Sequence, residues 1–111
     1  MTLKRLKHKY GAKRTTHNGV RYDSKAEAAY AARLDIAQKA GSLLFYLRQV
    51  PIALPGSTTY RVDFVEFWAP KGEDAGEVVF TDVKGMETEV FKLKKRQVEE
   101  LYPIEINVVK K

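Results

Sequence analysis

A chain of 111 residues with 44% hydrophobic side chains has apolar mass for one compact core and too little length for two ordinary domains. Its 20 Lys and Arg outweigh 14 Asp and Glu, giving a net charge of +6, which points to a polyanionic partner such as nucleic acid. Cysteine is absent, which excludes a disulfide framework, a thiolate nucleophile and a Cys-based zinc site; with no leader-like apolar segment and no bilayer-spanning run, the expected setting is a reducing cytoplasm without a membrane partner.

The first residues, 1–12 of a single domain spanning 1–111, are basic and aperiodic and read as an arm suited to a phosphate backbone or as a plain tail. Lys13 to Thr16 and Val20 to Tyr22 flank His17-Asn18-Gly19, and Asn-Gly between short strand-like runs predicts a hairpin with His17 at its turn. Ser24 to Ala40 is Ala-rich and ends at Gly41, the pattern of a capped helix. Strands are expected over Leu43 to Ile52, closed by Pro51, over Tyr60 to Trp68 after the Pro55-Gly56-Ser57 turn, and over Glu77 to Val83. A basic helix opened by Thr88 runs to Tyr102, and Ile104 to Val109 forms a last strand. The order hairpin-α-β-β-β-α-β predicts an α/β fold in which a mixed sheet is flanked by helices.

The run Tyr60 to Trp68 is apolar on both alternating faces, so Asp63 in its middle sits where an ion costs several kcal/mol unless it is compensated. A metal ion and a salt bridge to a residue such as Arg61 are the two compensations open to it. In Val78 to Gly85, period-two alternation turns Asp82 and Lys84 to one face and Val83 to the other. Asp63 and Asp82 on adjacent strands would supply the one or two carboxylates that Mg²⁺ uses, and Lys84 would lie beside a metal-bound water and a phosphate. A surface Asp–Lys pair is the plain alternative. Glu27 is spaced from Ser24 as in a capping box, so it reads equally as a cap and as a third metal-site acid. On the last helix Lys92, Lys95 and Arg96 share helical spacing with Glu99, either as a solvated face or as phosphate contacts, alongside Lys9, Lys13 and Arg14 from the amino-terminal cluster.

Glu27 on the first helix, Asp63 on the second core strand, and Asp82-Val83-Lys84 on the third, followed by a basic helix and a strand, resemble the PD-(D/E)XK nuclease superfamily. That superfamily includes restriction endonucleases and archaeal-type Holliday junction resolvases. Lys9-Tyr10-Gly11 with Lys13, Asp23 to Ala28, Gln49 before Pro51, and Asp82 to Gly85 leading to Phe91 to Lys95 are similar to small phage-encoded members. The resemblance implies a restriction-endonuclease-like core, with Mg²⁺ or Mn²⁺ held by Asp63, Asp82, the Val83 carbonyl and Glu27, Lys84 as the motif lysine, and Gln49 turned toward the site. Val62-Asp63 stands where the motif has Pro-Asp.

The activity so implied is hydrolysis of DNA phosphodiesters, including branched or junction DNA in phage replication and recombination, by a protein that could act as a homodimer. A catalytically inactive nuclease-fold DNA-binding accessory and a basic RNA-binding protein of ribosomal type are the competing classes. Binding that falls with salt but requires no divalent metal would mark the accessory.

Overall fold

The computed structural model describes residues 15–17 and 19–111. Lys9, Lys13, Arg14 and the basic arm lie outside the described residues. Strands β1 (Thr15–His17) and β2 (Val20–Tyr22) form the expected hairpin, with Val20 opposite His17. His17 is thus the last residue of a strand, not part of the turn.

Helix α1 (Lys25–Lys39) begins where Ser24 Oγ accepts the Glu27 backbone N–H at 3.1 Å, and the chain turns out of it at Gly41, whose φ of +87° suits a residue without a Cβ. Helix α2 (Glu89–Leu101) starts in the same way, with Thr88 Oγ1 accepting the Phe91 N–H at 3.1 Å.

The main sheet holds β3 (Leu43–Leu54), β4 (Thr58–Trp68), β5 (Val78–Lys84) and β6 (Ile106–Lys110) in that spatial order. The first two pairings are antiparallel, and β5 pairs with β6 in parallel through the α2 crossover, so the sheet is mixed as the element order predicts. Pro51 does not close β3. It sits opposite Arg61 inside the strand, which an edge strand tolerates because the missing N–H can face away from the ladder.

Each face of the sheet has its own core. Tyr22, Phe64 and Val83 pack with Ala28, Ala31 and Leu34 of α1, whose small alanines let the helix lie close to the strands. Tyr60, Val62, Val65 and Ile106 pack with Phe91 and Val98 of α2. The fold is therefore α/β, with one helix on each side of a four-stranded sheet, and β4 is covered on both faces: Val62 to Glu66 are five consecutive buried residues. No helix among the described residues is long and apolar enough to cross a membrane.

Candidate functional site

The site grows out of a fault in strand alternation. In a regular strand Val62 and Phe64 would share a face. Here Val62 joins the α2-side core and Phe64 the α1-side core, and on the neighbouring strand Tyr46 lies on the α1 side while Val50 and Ile52 lie on the α2 side. Both reversals fall between the rungs Arg48↔Phe64 and Val50↔Val62, at Gln49 and Asp63. Gln49 makes its turn with φ +51°, a left-handed conformation that costs a residue with a Cβ roughly 1–2 kcal/mol. The kink frees both polar side chains from the two apolar layers.

Next to the kink, β4 and β5 part company. Their ladder runs from Phe67↔Val78 to Phe64↔Thr81, after which β5 continues against β6 alone, from Asp82↔Val108 to Lys84↔Lys110. Side chains occupy the gap: the Asp63 N–H donates to Asp82 Oδ1 at 2.9 Å, and the Val83 N–H donates to Asp63 Oδ2 at 2.9 Å. Each aspartate thus satisfies a main-chain amide of the opposite strand that the fork would have orphaned.

Glu27 comes to this point from the first turn of α1. Its backbone N–H takes the Ser24 cap, but its side chain does not complete the box; Glu27 Oε1 accepts from Gln49 Nε2 at 3.0 Å. The same Nε2 donates to Asp63 Oδ1 at 3.3 Å, so one carboxamide bridges two acids. Burial first, then repulsion from Asp63 and Asp23 and a hydrogen bond with Asp63, push the Glu27 carboxyl up to about 7, while the Arg48 charge opposes them.

Asp82 is fully buried, and burial raises its pKa against the Asp63 amide and the Lys84 charge, which lower it. Its Oδ2 accepts from the Tyr60 hydroxyl. Asp82 and Lys84 do share a side, as alternation predicts: Tyr60 and Phe91 belong to the α2-side core, and Lys84 Nζ lies 4.8 Å from the Phe91 ring centre. Glu27 arrives from the α1 side. Asp63, in the fork between them, connects the two halves through main-chain amides rather than by a carboxylate shared with Asp82.

The neutral donors around Asp63 replace the salt bridge considered for it; Arg61 lies exposed opposite Pro51. On α2, Lys92 Nζ is 3.7 Å from Glu89, and Lys95 Nζ is 3.2 Å from Glu99 Oε1. Glu99 Oε2 also accepts the Ile106 N–H at 2.8 Å, so Lys95 helps tie α2 to β6, whereas Arg96 is exposed. Two groups near the site escape a reading of the sequence. Tyr60 looks like an ordinary strand-forming aromatic, and Glu66, 1% exposed between Tyr30 Oη at 2.7 Å and Trp68 Nε1 at 3.0 Å, looks like an outward-facing acid beside Val65.

Among the described residues no group of three or more His, Asp or Glu side chains is gathered so as to hold a metal ion. What is gathered is a pair, Glu27 with Asp63, and hard carboxylate oxygens in such a pair match Mg²⁺ or Mn²⁺, which use one or two carboxylates and retain waters. No curated protein and no solved structure matches the chain. Residues 7–110, nearly its whole length, match one family, and the chain therefore belongs to the family described as "Protein of unknown function (DUF1064)".

Proposed function

We propose that this chain is a divalent-metal-dependent DNA endonuclease of the PD-(D/E)XK type. The observation that carries the reading is the meeting of Glu27, Gln49 and Asp63 at a double strand kink, one hydrogen bond from Asp82-Val83-Lys84. Two acids in contact with a raised Glu27 pKa form a site short of positive charge, the condition a divalent cation relieves. Glu27 and Asp63 would hold Mg²⁺ or Mn²⁺, with Asp82 and the Val83 carbonyl behind them. When bound, the ion would polarise a phosphate oxygen and acidify a water.

The chain's own residues supply orientation and charge. Gln49 keeps the two carboxylates apart at a fixed spacing, and Asp82 holds the Asp63 main chain in place. Lys84, on the α2 side of the fork, offers a cation to the scissile phosphate, and Arg96 with Lys92 and Lys95 extends the positive surface along the backbone. Branched or junction DNA in phage replication or recombination, a homodimer for cutting two strands, and a cytoplasmic setting belong to the same proposal.

A second reading is favoured by the sealed state of Asp82, both of whose oxygens already accept hydrogen bonds: a nuclease-fold accessory that binds DNA without cutting it. Incubating plasmid and four-way DNA with the protein in Mg²⁺, Mn²⁺ or chelator separates the two. The nuclease reading expects metal-dependent nicking that Asp82→Asn and Lys84→Ala abolish. Binding that weakens with salt, without scission in any metal, leaves the accessory.

A further inference from the structure

Arg48 precedes the kink residue and touches the two residues of β2 that lead into the Glu27 turn of α1. Its guanidinium lies 3.9 Å over the ring of Tyr22, and its Nη2 donates to the Arg21 carbonyl at 3.3 Å. Both are residues of β2, in a hairpin whose strands pair only with each other and not with the main sheet. Tyr22 is 2% exposed and belongs to the α1-side core, so the contact lies at the root of the hairpin rather than at its tip. From Tyr22 the chain needs only Asp23 to reach Ser24, the cap of α1, and Glu27 follows within the first turn. The root of the hairpin is therefore tied through two residues to the turn that carries Glu27, while Ala28, Ala31 and Leu34 seat the rest of α1 on the sheet.

Two further observations separate Arg48 from an ordinary surface arginine. Its Nε is the only buried side-chain nitrogen or oxygen among the described residues that lacks a hydrogen-bond partner. Such a group destabilises the fold by its lost hydration, and an apolar side chain of similar length would pack on Tyr22 without it. Its charge also acts on Glu27 against Asp63 and Asp23.

We propose that Arg48 is a positioning residue which latches the β1–β2 hairpin to the central sheet and thereby holds Glu27 against the Gln49 carboxamide. The inference deepens the nuclease reading and rests on it for its kinetic arm alone. Arg48 meets no reacting atom; it acts through Tyr22, Ser24 and Glu27.

The experiment compares the full chain with Arg48→Met, which keeps the stem over Tyr22 but removes the charge and donors, with Arg48→Lys, and with His17→Ala. The last loosens the hairpin through His17, whose Nε2 lies 2.6 Å from Asp35 Oδ2 and whose ring centre is 6.3 Å from that of Tyr22, while leaving the Arg48 charge and donors in place. Water exchange of the Gln49 side-chain amide by NMR reports its contacts with Glu27 and Asp63, of which the Glu27 contact is the one that moves with α1. Arg48→Met is expected to speed that exchange at least tenfold and to lower kcat for Mn²⁺-dependent nicking at least tenfold with KM within about twofold. Arg48→Lys is expected to recover part of both, and His17→Ala to change neither at a comparable loss of Tm. Wild-type exchange in Arg48→Met, or in Arg48→Lys should the Met variant not fold, would overturn the proposal, as would an equal effect of His17→Ala. Should wild-type protein nick nothing, the nuclease reading falls while the exchange measurement still decides the role of Arg48.

Discussion

Gln49 and Asp63 both lie between the rungs Arg48↔Phe64 and Val50↔Val62, where β3 and β4 exchange faces, and the Gln49 carboxamide donates to the Asp63 carboxylate at 3.3 Å. The same amide nitrogen reaches Glu27 on α1 at 3.0 Å. The backbone distortion and the gathering of the polar residues are thus one event, because a strand that kept its alternation would send residue 49 or residue 63 into an apolar layer.

The strain at Gln49 and its hydrogen bonds can be separated by mutation. Gln49→Ala keeps the φ of +51° and leaves Glu27 and Asp63 without their shared donor, so it should lower unfolding stability by about 2 kcal/mol. Gln49→Gly loses the same donor but relieves roughly 1 kcal/mol of backbone strain and should be the more stable of the two in urea titrations. Equal midpoints would show that the left-handed turn carries no strain.

Glu27 makes the metal-free protein sensitive to pH. Its carboxyl titrates near 7 in the fold against 4.5 when exposed, so the ionised form is the one the fold disfavours. Stability from this group is fully present below about pH 4.5 and is lost as pH rises through about 7. After allowance for partial screening the loss should be about 2 kcal/mol. Denaturation in chelator at pH 5 and pH 8 should show this slope in wild type and a flatter one in Glu27→Gln, and Mn²⁺ should stabilise the wild type selectively at pH 8.

Tyr60→Phe tests the buried half of the site. It removes the hydroxyl that donates to Asp82 and leaves a fully buried carboxyl with one donor fewer, at a cost of about 2 kcal/mol. Because burial already raises the Asp82 pKa, the loss should be larger at pH 8 than at pH 5, and Asp82→Asn in the same background should erase that difference.

Lys95 and Arg96 should differ although they are neighbours on one helix. Glu99→Ala orphans the Ile106 N–H and frees Lys95, so it should lower Tm, and Lys95→Gln should do so more weakly. Arg96→Gln should leave Tm unchanged and reduce the salt dependence of DNA binding by about one unit of slope. A Tm loss in Arg96→Gln without any change in that slope would remove it from the interface.

Phe64→Ala probes the core behind the site. The ring is fully buried, with the centres of Tyr30 and Tyr46 at 5.2 and 5.8 Å, and its removal should cost about 3–5 kcal/mol by calorimetry or denaturant.

Local chemistry was enough to place the elements. Ser24 and Thr88 carry the oxygen a helix start needs, Gly19 takes the positive φ of the hairpin connection, and the doubly apolar run around Asp63 marks a central strand, because caps, turns and strand periodicity act over a few neighbouring residues. The shared side of Asp82 and Lys84 followed from the same periodicity. Other features depended on contacts between residues far apart in the chain. Pro51 inside a strand, the face reversal at Gln49 and Asp63, the Tyr60 bond to Asp82, and the choice of Glu27 for Gln49 over the Ser24 amide are each set by which strand or helix arrives alongside. A kink shared by two strands leaves no trace in the alternation of either sequence, since the polar side chains it frees find their partners on α1 and β5, far away in the chain.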